Sequence, residues 1–186
     1  MAEQKEQMLR RYVEYIERLA REKSPEIFTN GGIEYASQLM AVLFKNTEKE
    51  ARVYCEGFKP TLITTSPYWE ALNEFLNAKE KSLKVLVESD QYVNDEPIRL
   101  LKEKIAERND DTIQIKIVSG DNRKKIYDSF DGAPCNFAIF DDNKFRFEYE
   151  PSGYRAFGSF NHPSNAKYLK TMFDKIFAVS GDIKLN

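Results

Sequence analysis

The sequence predicts a single α/β domain, a mixed sheet flanked by helices, with one additional helix at the N-terminus. Two observations point there. Segments with apolar residues at three- and four-residue spacing alternate with short runs of β-branched and aromatic residues, an order that favours a largely parallel sheet with helices on its faces. The last third then changes to strand-like runs divided by turn residues, which reads as an antiparallel meander.

Residues 4–22 carry Met8, Tyr12, Tyr15, Ile16 and Leu19 between charges, the pattern of an amphipathic helix. Thr29-Asn30-Gly31-Gly32 breaks the chain, and residues 33–44 follow with a broader apolar face, a more buried helix. Arg52-Val53-Tyr54-Cys55-Glu56 reads as the first core strand. Ser66 is placed at the cap of the next helix and Pro67 at its first position, where the missing proline N–H costs nothing. Residues 83–88 form the second strand, 96–106 a helix, and 112–118 a third strand ended by Ser119-Gly120. Arg123-Lys124-Lys125 reads as a solvated turn. Residues 137–140, 145–149 and 154–160 make the meander, and 165–179 close the chain as a helix. Residues 1–28 are set apart as the N-terminal helix and 29–186 as the domain proper.

Composition narrows the function. With 186 residues, 41% hydrophobic and 31% charged, the chain is long enough for one well-buried core and is neither disordered nor fibrous in character. A formal net charge of −2 supplies no global positive field for a polyanion, which argues against a nucleic-acid partner and against an anionic membrane surface. Charges interrupt the first thirty residues throughout, and no uncharged run approaches the roughly 18 apolar residues of a membrane span, so a cytoplasmic protein is expected. Cys55 and Cys135 fit no metal-ligand spacing and no disulfide framework, in keeping with a reducing compartment.

One short element carries a resemblance. Gly158-Ser159-Phe160-Asn161 follows a strand, precedes a helix and stands after an apolar strand that ends in Asp141-Asp142. This arrangement resembles the phospholipase D superfamily, and with the upstream element order the likeness covers roughly residues 33–179. In that family a strand carries His-x-Lys, an aspartate lies five residues past the lysine, a hairpin follows, and Gly-Ser-x-Asn comes before a helix. The resemblance therefore implies a phospholipase D-like α/β sandwich and marks Ser159 and Asn161 as ligand-binding positions.

The departures from that pattern bear on chemistry. The family uses its histidine as a nucleophile on phosphorus and its lysine to hold phosphate oxygens. Setting the family aspartate at Asp141 puts Pro134 at the histidine and Asn136 at the lysine; setting it at Asp142 puts Cys135 and Phe137 there. Neither choice gives a nucleophile with a cation beside it. No catalytic residue is therefore assigned, and a non-catalytic binding or interaction module is expected. It is expected to self-associate, because one family repeat makes half of the usual two-repeat assembly, and to bind a protein partner or a small anionic ligand.

The alternatives are a hydrolase rebuilt around His162, Ser159 and Asn161, or around Cys135, and a nucleic-acid-binding protein without cleavage. His162 is the only histidine; its bland reading is a helix-entry residue, as Ser159 and Asn161 suit a strand end and a cap. Arg146 and Arg155 sit on neighbouring strands and could form a small cationic patch, although a solvated sheet face with Glu148 and Glu150 as counter-charges explains them as well. Asp141-Asp142-Asn143 lacks the ligand spacing of a calcium loop, so no metal and no cofactor are expected.

Overall fold

Residues 2–183 are described by the computed structural model, in which α1 (Ala2–Arg21) leads through a short strand β1 (Phe28–Asn30) into α2 (Ile33–Lys45). Strand β2 (Glu50–Cys55), helices α3 (Pro60–Ile63) and α4 (Ser66–Asn77), and strand β3 (Ser82–Val87) follow. Helix α5 (Glu96–Arg108), strand β4 (Ile113–Ile117) and helix α6 (Gly120–Asp128) complete the alternating part. Strands β5 (Asn136–Phe140), β6 (Lys144–Glu150) and β7 (Arg155–Ser159) are the meander, and α7 (Pro163–Ala178) and β8 (Gly181–Asp182) end the described chain.

These strands form one eight-stranded sheet in the order β1-β7-β6-β5-β2-β3-β4-β8. Helical crossovers carry the chain from β2 to β3 and from β3 to β4, so those strands pair in parallel: Val53 stands beside Val85, and Val85 beside Ile115. Short turns join β5, β6 and β7, so these pair antiparallel, and β5 lies antiparallel against β2 with Tyr54 beside Phe137.

Alternation along the strands divides the core between the two faces. On one face Val53, Leu83, Val85 and Ala138 pack with Ile16 and Leu19 of α1, Leu39 and Phe44 of α2, Leu72 and Phe75 of α4 and Leu101 of α5. On the other, Tyr54, Phe137, Ile139, Phe145 and Phe147 pack with Ile126 of α6 and Leu169, Phe173 and Phe177 of α7. Ile16 and Leu19 are fully buried, so α1 is a layer of the core, each such side chain contributing about 1.5–3 kcal/mol. Residues 3–8 near its start are exposed, Met8 included.

The structure corrects the sequence expectations in four places. Residues 28–30 form the edge strand β1, with Phe28 beside Gly158 and Asn30 beside Ala156. Arg123-Lys124-Lys125 lies within helix α6, whose cap Ser119 accepts from Asn122 N at 3.3 Å. The cap of α4 is Thr65, while Ser66 is inside the helix and its hydroxyl bonds Glu70. The charged face of β6 is buried: Lys144, Arg146 and Glu148 are only 8%, 5% and 3% exposed.

Candidate functional site: a cleft between β2 and β5

The parallel order breaks at β2, which has β3 parallel on one side and β5 antiparallel on the other. Open α/β sheets form their binding crevices at such switch points, beyond the C-terminal ends of the parallel strands. A narrow cleft that opens to solvent lies there. Cys55, Asn136, Arg146 and Glu148 supply its floor, and Phe58, Lys59, Tyr68 and Tyr154 contribute to its walls.

A polar network occupies the floor. Arg146 Nη2 donates to Glu148 Oε2 at 2.6 Å, and Arg146 Nε donates to Asn30 Oδ1 at 3.3 Å. Asn136 Nδ2 donates to Glu148 Oε1 at 2.6 Å, while Asn136 Oδ1 accepts from Glu56 N at 3.0 Å. Asn30 Nδ2 and Arg146 Nη2 both reach the Tyr154 carbonyl, at 2.7 and 3.4 Å. Such a network is stable only when its members satisfy one another, because an ion pair removed from water loses its hydration. At the mouth Lys59 pairs with Glu56 at 2.5 Å.

The residues marked from sequence are distributed between two ends of the sheet. Arg146 is in the cleft, whereas Arg155 is exposed and pairs with Glu150 at 3.2 Å. Asn136 begins β5 beside Glu148, but Ser159 lies beside Phe145, which is itself beside Ile139. Ser159 is thus three residues along and two strands across from Asn136, about 14 Å away at ordinary sheet spacings. The meander adds a strand between the Asp141 turn and Gly-Ser-Phe-Asn, and this puts the element at the far end.

There Ser159 Oγ accepts from Asn161 N at 3.2 Å and donates to the Ser24 carbonyl at 3.4 Å. His162 is the cap of α7, with Nδ1 accepting from Asn165 N at 3.4 Å and its own N–H donating to Asn143 O at 2.6 Å. Asp141 ties the β5–β6 turn to the start of β2, accepting from Glu48 N at 3.0 Å and Lys49 N at 2.8 Å and pairing with Lys144 at 2.6 Å. Burial works to raise its pKa, but those donors outweigh burial and hold the carboxyl below its ordinary value.

Neither thiol is poised for nucleophilic work. Burial, reinforced by the Glu88 carboxylate, pushes Cys135 up to about 12 and Cys55 well above the usual thiol range. They sit in different packing layers, Cys135 among the residues under α7 and Cys55 against the α2 side. Among the described residues no group of three or more His, Cys, Asp or Glu could hold a metal ion, and no helix is long and apolar enough to cross a membrane.

The sequence marks Glu148 only as a counter-charge on a solvated face and Asn30 only as part of a chain break, yet both complete the floor. The available signal was the alternation Lys144, Arg146, Glu148 against Phe145, Phe147, Tyr149. It shows a two-faced strand but not that its charged face is buried.

No family model matches the sequence, and no curated relative matches it either. Solved structures do match. Nuc from Salmonella typhimurium, a phospholipase D family member, superposes with a TM-score of 0.57 at 13% identity, covering 85% of this chain and 99% of that one. NucT from Helicobacter pylori gives 0.58 at 10% identity, covering 85% and 100%. The chain has a phospholipase D-like fold. TrmBL2, an archaeal chromatin protein whose structure shows a novel mode of DNA binding, also matches, with a TM-score of 0.52 at 11% identity. That match covers 94% of this chain but spans only 60% of TrmBL2. In this phospholipase D-like fold the cleft between β2 and β5 combines buried charge with concave shape, while the Gly158–Asn161 element lies away from it.

Proposed function

We propose that this chain is a non-catalytic binding module whose small ligand enters the cleft between β2 and β5. One observation carries the reading: Asn136, at the lysine position in the Asp141 register of the resemblance, is committed on both sides of its amide, to Glu148 and to Glu56 N, and the Asp142 register puts the equally uncharged Phe137 there. An amide so held offers no positive charge to a phosphate. Pro134, two residues earlier, has no nucleophilic atom.

The test is release of 4-nitrophenol from bis(4-nitrophenyl) phosphate by the wild type and by His162→Ala. No turnover above buffer is expected for either. Turnover that His162→Ala abolishes would instead establish a hydrolase rebuilt around His162, Ser159 and Asn161.

Self-association through the exposed first turns of α1 belongs to the same reading. Removing residues 1–11 should lower the mass seen by light scattering, and an unchanged mass contradicts it. The likeness to TrmBL2 supports a second reading, nucleic-acid binding without cleavage. Salt-dependent binding of a labelled DNA duplex, followed by fluorescence anisotropy, would favour that reading over the first.

A further inference from the structure

We infer that the cleft selects an uncharged ligand with a flat apolar face and a hydrogen-bonding edge, because the Glu148 carboxylate already occupies the place beside Arg146 that an anion would take. The inference rests on the reading above, that the cleft holds a small ligand, and it names the chemical class.

Charge is the first argument. Arg146 and Glu148 line the cleft with side chains only 6% and 3% exposed, paired at 2.6 Å. Lys59 and Glu56, the other charged residues of the lining, are paired at 2.5 Å. Positive and negative groups therefore cancel. An anion approaching Arg146 meets a buried carboxylate held against the same guanidinium, and displacing that carboxylate would strand it unpaired away from water. A cation meets the mirror-image obstacle in Arg146. An uncharged molecule meets neither.

Unused hydrogen-bonding capacity is the second argument. The bonds from Arg146 to Glu148, Asn30 and Tyr154 use Nε and Nη2, and among the described residues Nη1 is engaged by none of them. A carbonyl, ether or hydroxyl oxygen of a neutral ligand can accept from it without disturbing the pair. Shape is the third argument. Tyr154 is half-buried and offers ring surface to a flat apolar face, while the buried Phe58 and Tyr68 keep the lining beside it apolar.

Benzamide, benzoate and benzamidinium test this directly, since they share ring and outline and differ in charge. Each is titrated into the full chain while its backbone and arginine Nε resonances are followed by ¹H–¹⁵N correlation spectroscopy. Benzamide is expected to shift cleft resonances and to bind at least ten-fold more tightly than either ion. In Glu148→Gln, which frees Arg146, benzoate should gain at least ten-fold while benzamide changes less than three-fold. If that variant does not fold, Arg146→Met with Glu148→Gln removes both charges, and there benzoate should gain nothing. Benzoate or benzamidinium binding the wild type as tightly as benzamide overturns the charge inference and leaves the binding reading standing. Absence of shifts at cleft residues with all three probes overturns both.

Discussion

Phe28 stands beside Gly158 where the edge strand β1 pairs with β7, and its ring fills the space a side chain at Gly158 would need. A Cβ there would overlap the Phe145 carbonyl oxygen and come within 2.7 Å of the Phe28 ring. The glycine of Gly-Ser-Phe-Asn is thus explained by packing. Gly158→Ala is expected to destabilise the protein by about 1–3 kcal/mol or more, the range for overpacked cores. Urea denaturation checks it, and a midpoint equal to wild type would show that Phe28 gives way at no cost.

Breaking the Arg146–Glu148 pair from one side leaves the other charge buried without its partner. Arg146→Met alone should cost about 3–5 kcal/mol of stability. The double variant with Glu148→Gln retains an oxygen for Asn136 Nδ2 and should recover most of that loss. A double-mutant cycle by urea denaturation reads the coupling, and additive losses would mean the pair is not coupled.

Asp141 makes stability depend on pH in a stated direction. Its carboxyl is held below its ordinary pKa, so its contribution is fully present above the unfolded value near ~3.9. That contribution is lost as pH falls through the lower folded value. Asp141 has φ of 53°, a left-handed conformation that asparagine also tolerates, so Asp141→Asn removes charge without new backbone strain. The variant should be about 1.5–3 kcal/mol less stable at pH 7, as expected for hydrogen bonds to a charged group. The gap should narrow as pH falls below the unfolded value and close once the folded-state carboxyl protonates, and a constant gap across pH contradicts the assignment.

Tyr12 on α1 carries a buried hydroxyl with no hydrogen-bond partner among the described residues, while its ring meets Tyr35 edge-on at 5.0 Å. Removing an unsatisfied buried hydroxyl relieves its desolvation, so Tyr12→Phe should leave stability unchanged or raise it by about 1 kcal/mol. A lower melting temperature would reveal a partner for that hydroxyl.

The elements were legible where periodicity is strong and local. The helical stripes of α1, α2 and α7 and the alternation of β6 follow from residue spacing alone, and from them came the mixed sheet and the extra helix. β1 was not legible, because three residues next to Gly31-Gly32 acquire strand geometry only by pairing with β7, more than a hundred residues later. The same distance hid the cleft. Lys144, Arg146 and Glu148 have the pattern of a solvated face. In the folded chain they are buried, with Asp141 pairing Lys144 and Glu148 pairing Arg146, to which Asn30 adds a hydrogen bond. The Gly-Ser-Phe-Asn element identified the fold, yet its place relative to Asn136 depends on how many strands intervene. The lengthened hairpin from Lys144 to Arg155 sets that number.

Ligand contact is proposed for the cleft, and Ser159 and His162 serve as hydrogen-bond acceptors at the far end of the sheet. The most direct measurement is a residue-by-residue map of resonance shifts as benzamide and inorganic phosphate are each titrated into the wild-type chain. The account predicts benzamide-dependent shifts at Glu56, Gly57, Asn136 and Tyr154, and none at Ser159, Asn161 or His162. Shifts confined to Ser159, Asn161 and His162, above all with phosphate, would contradict it.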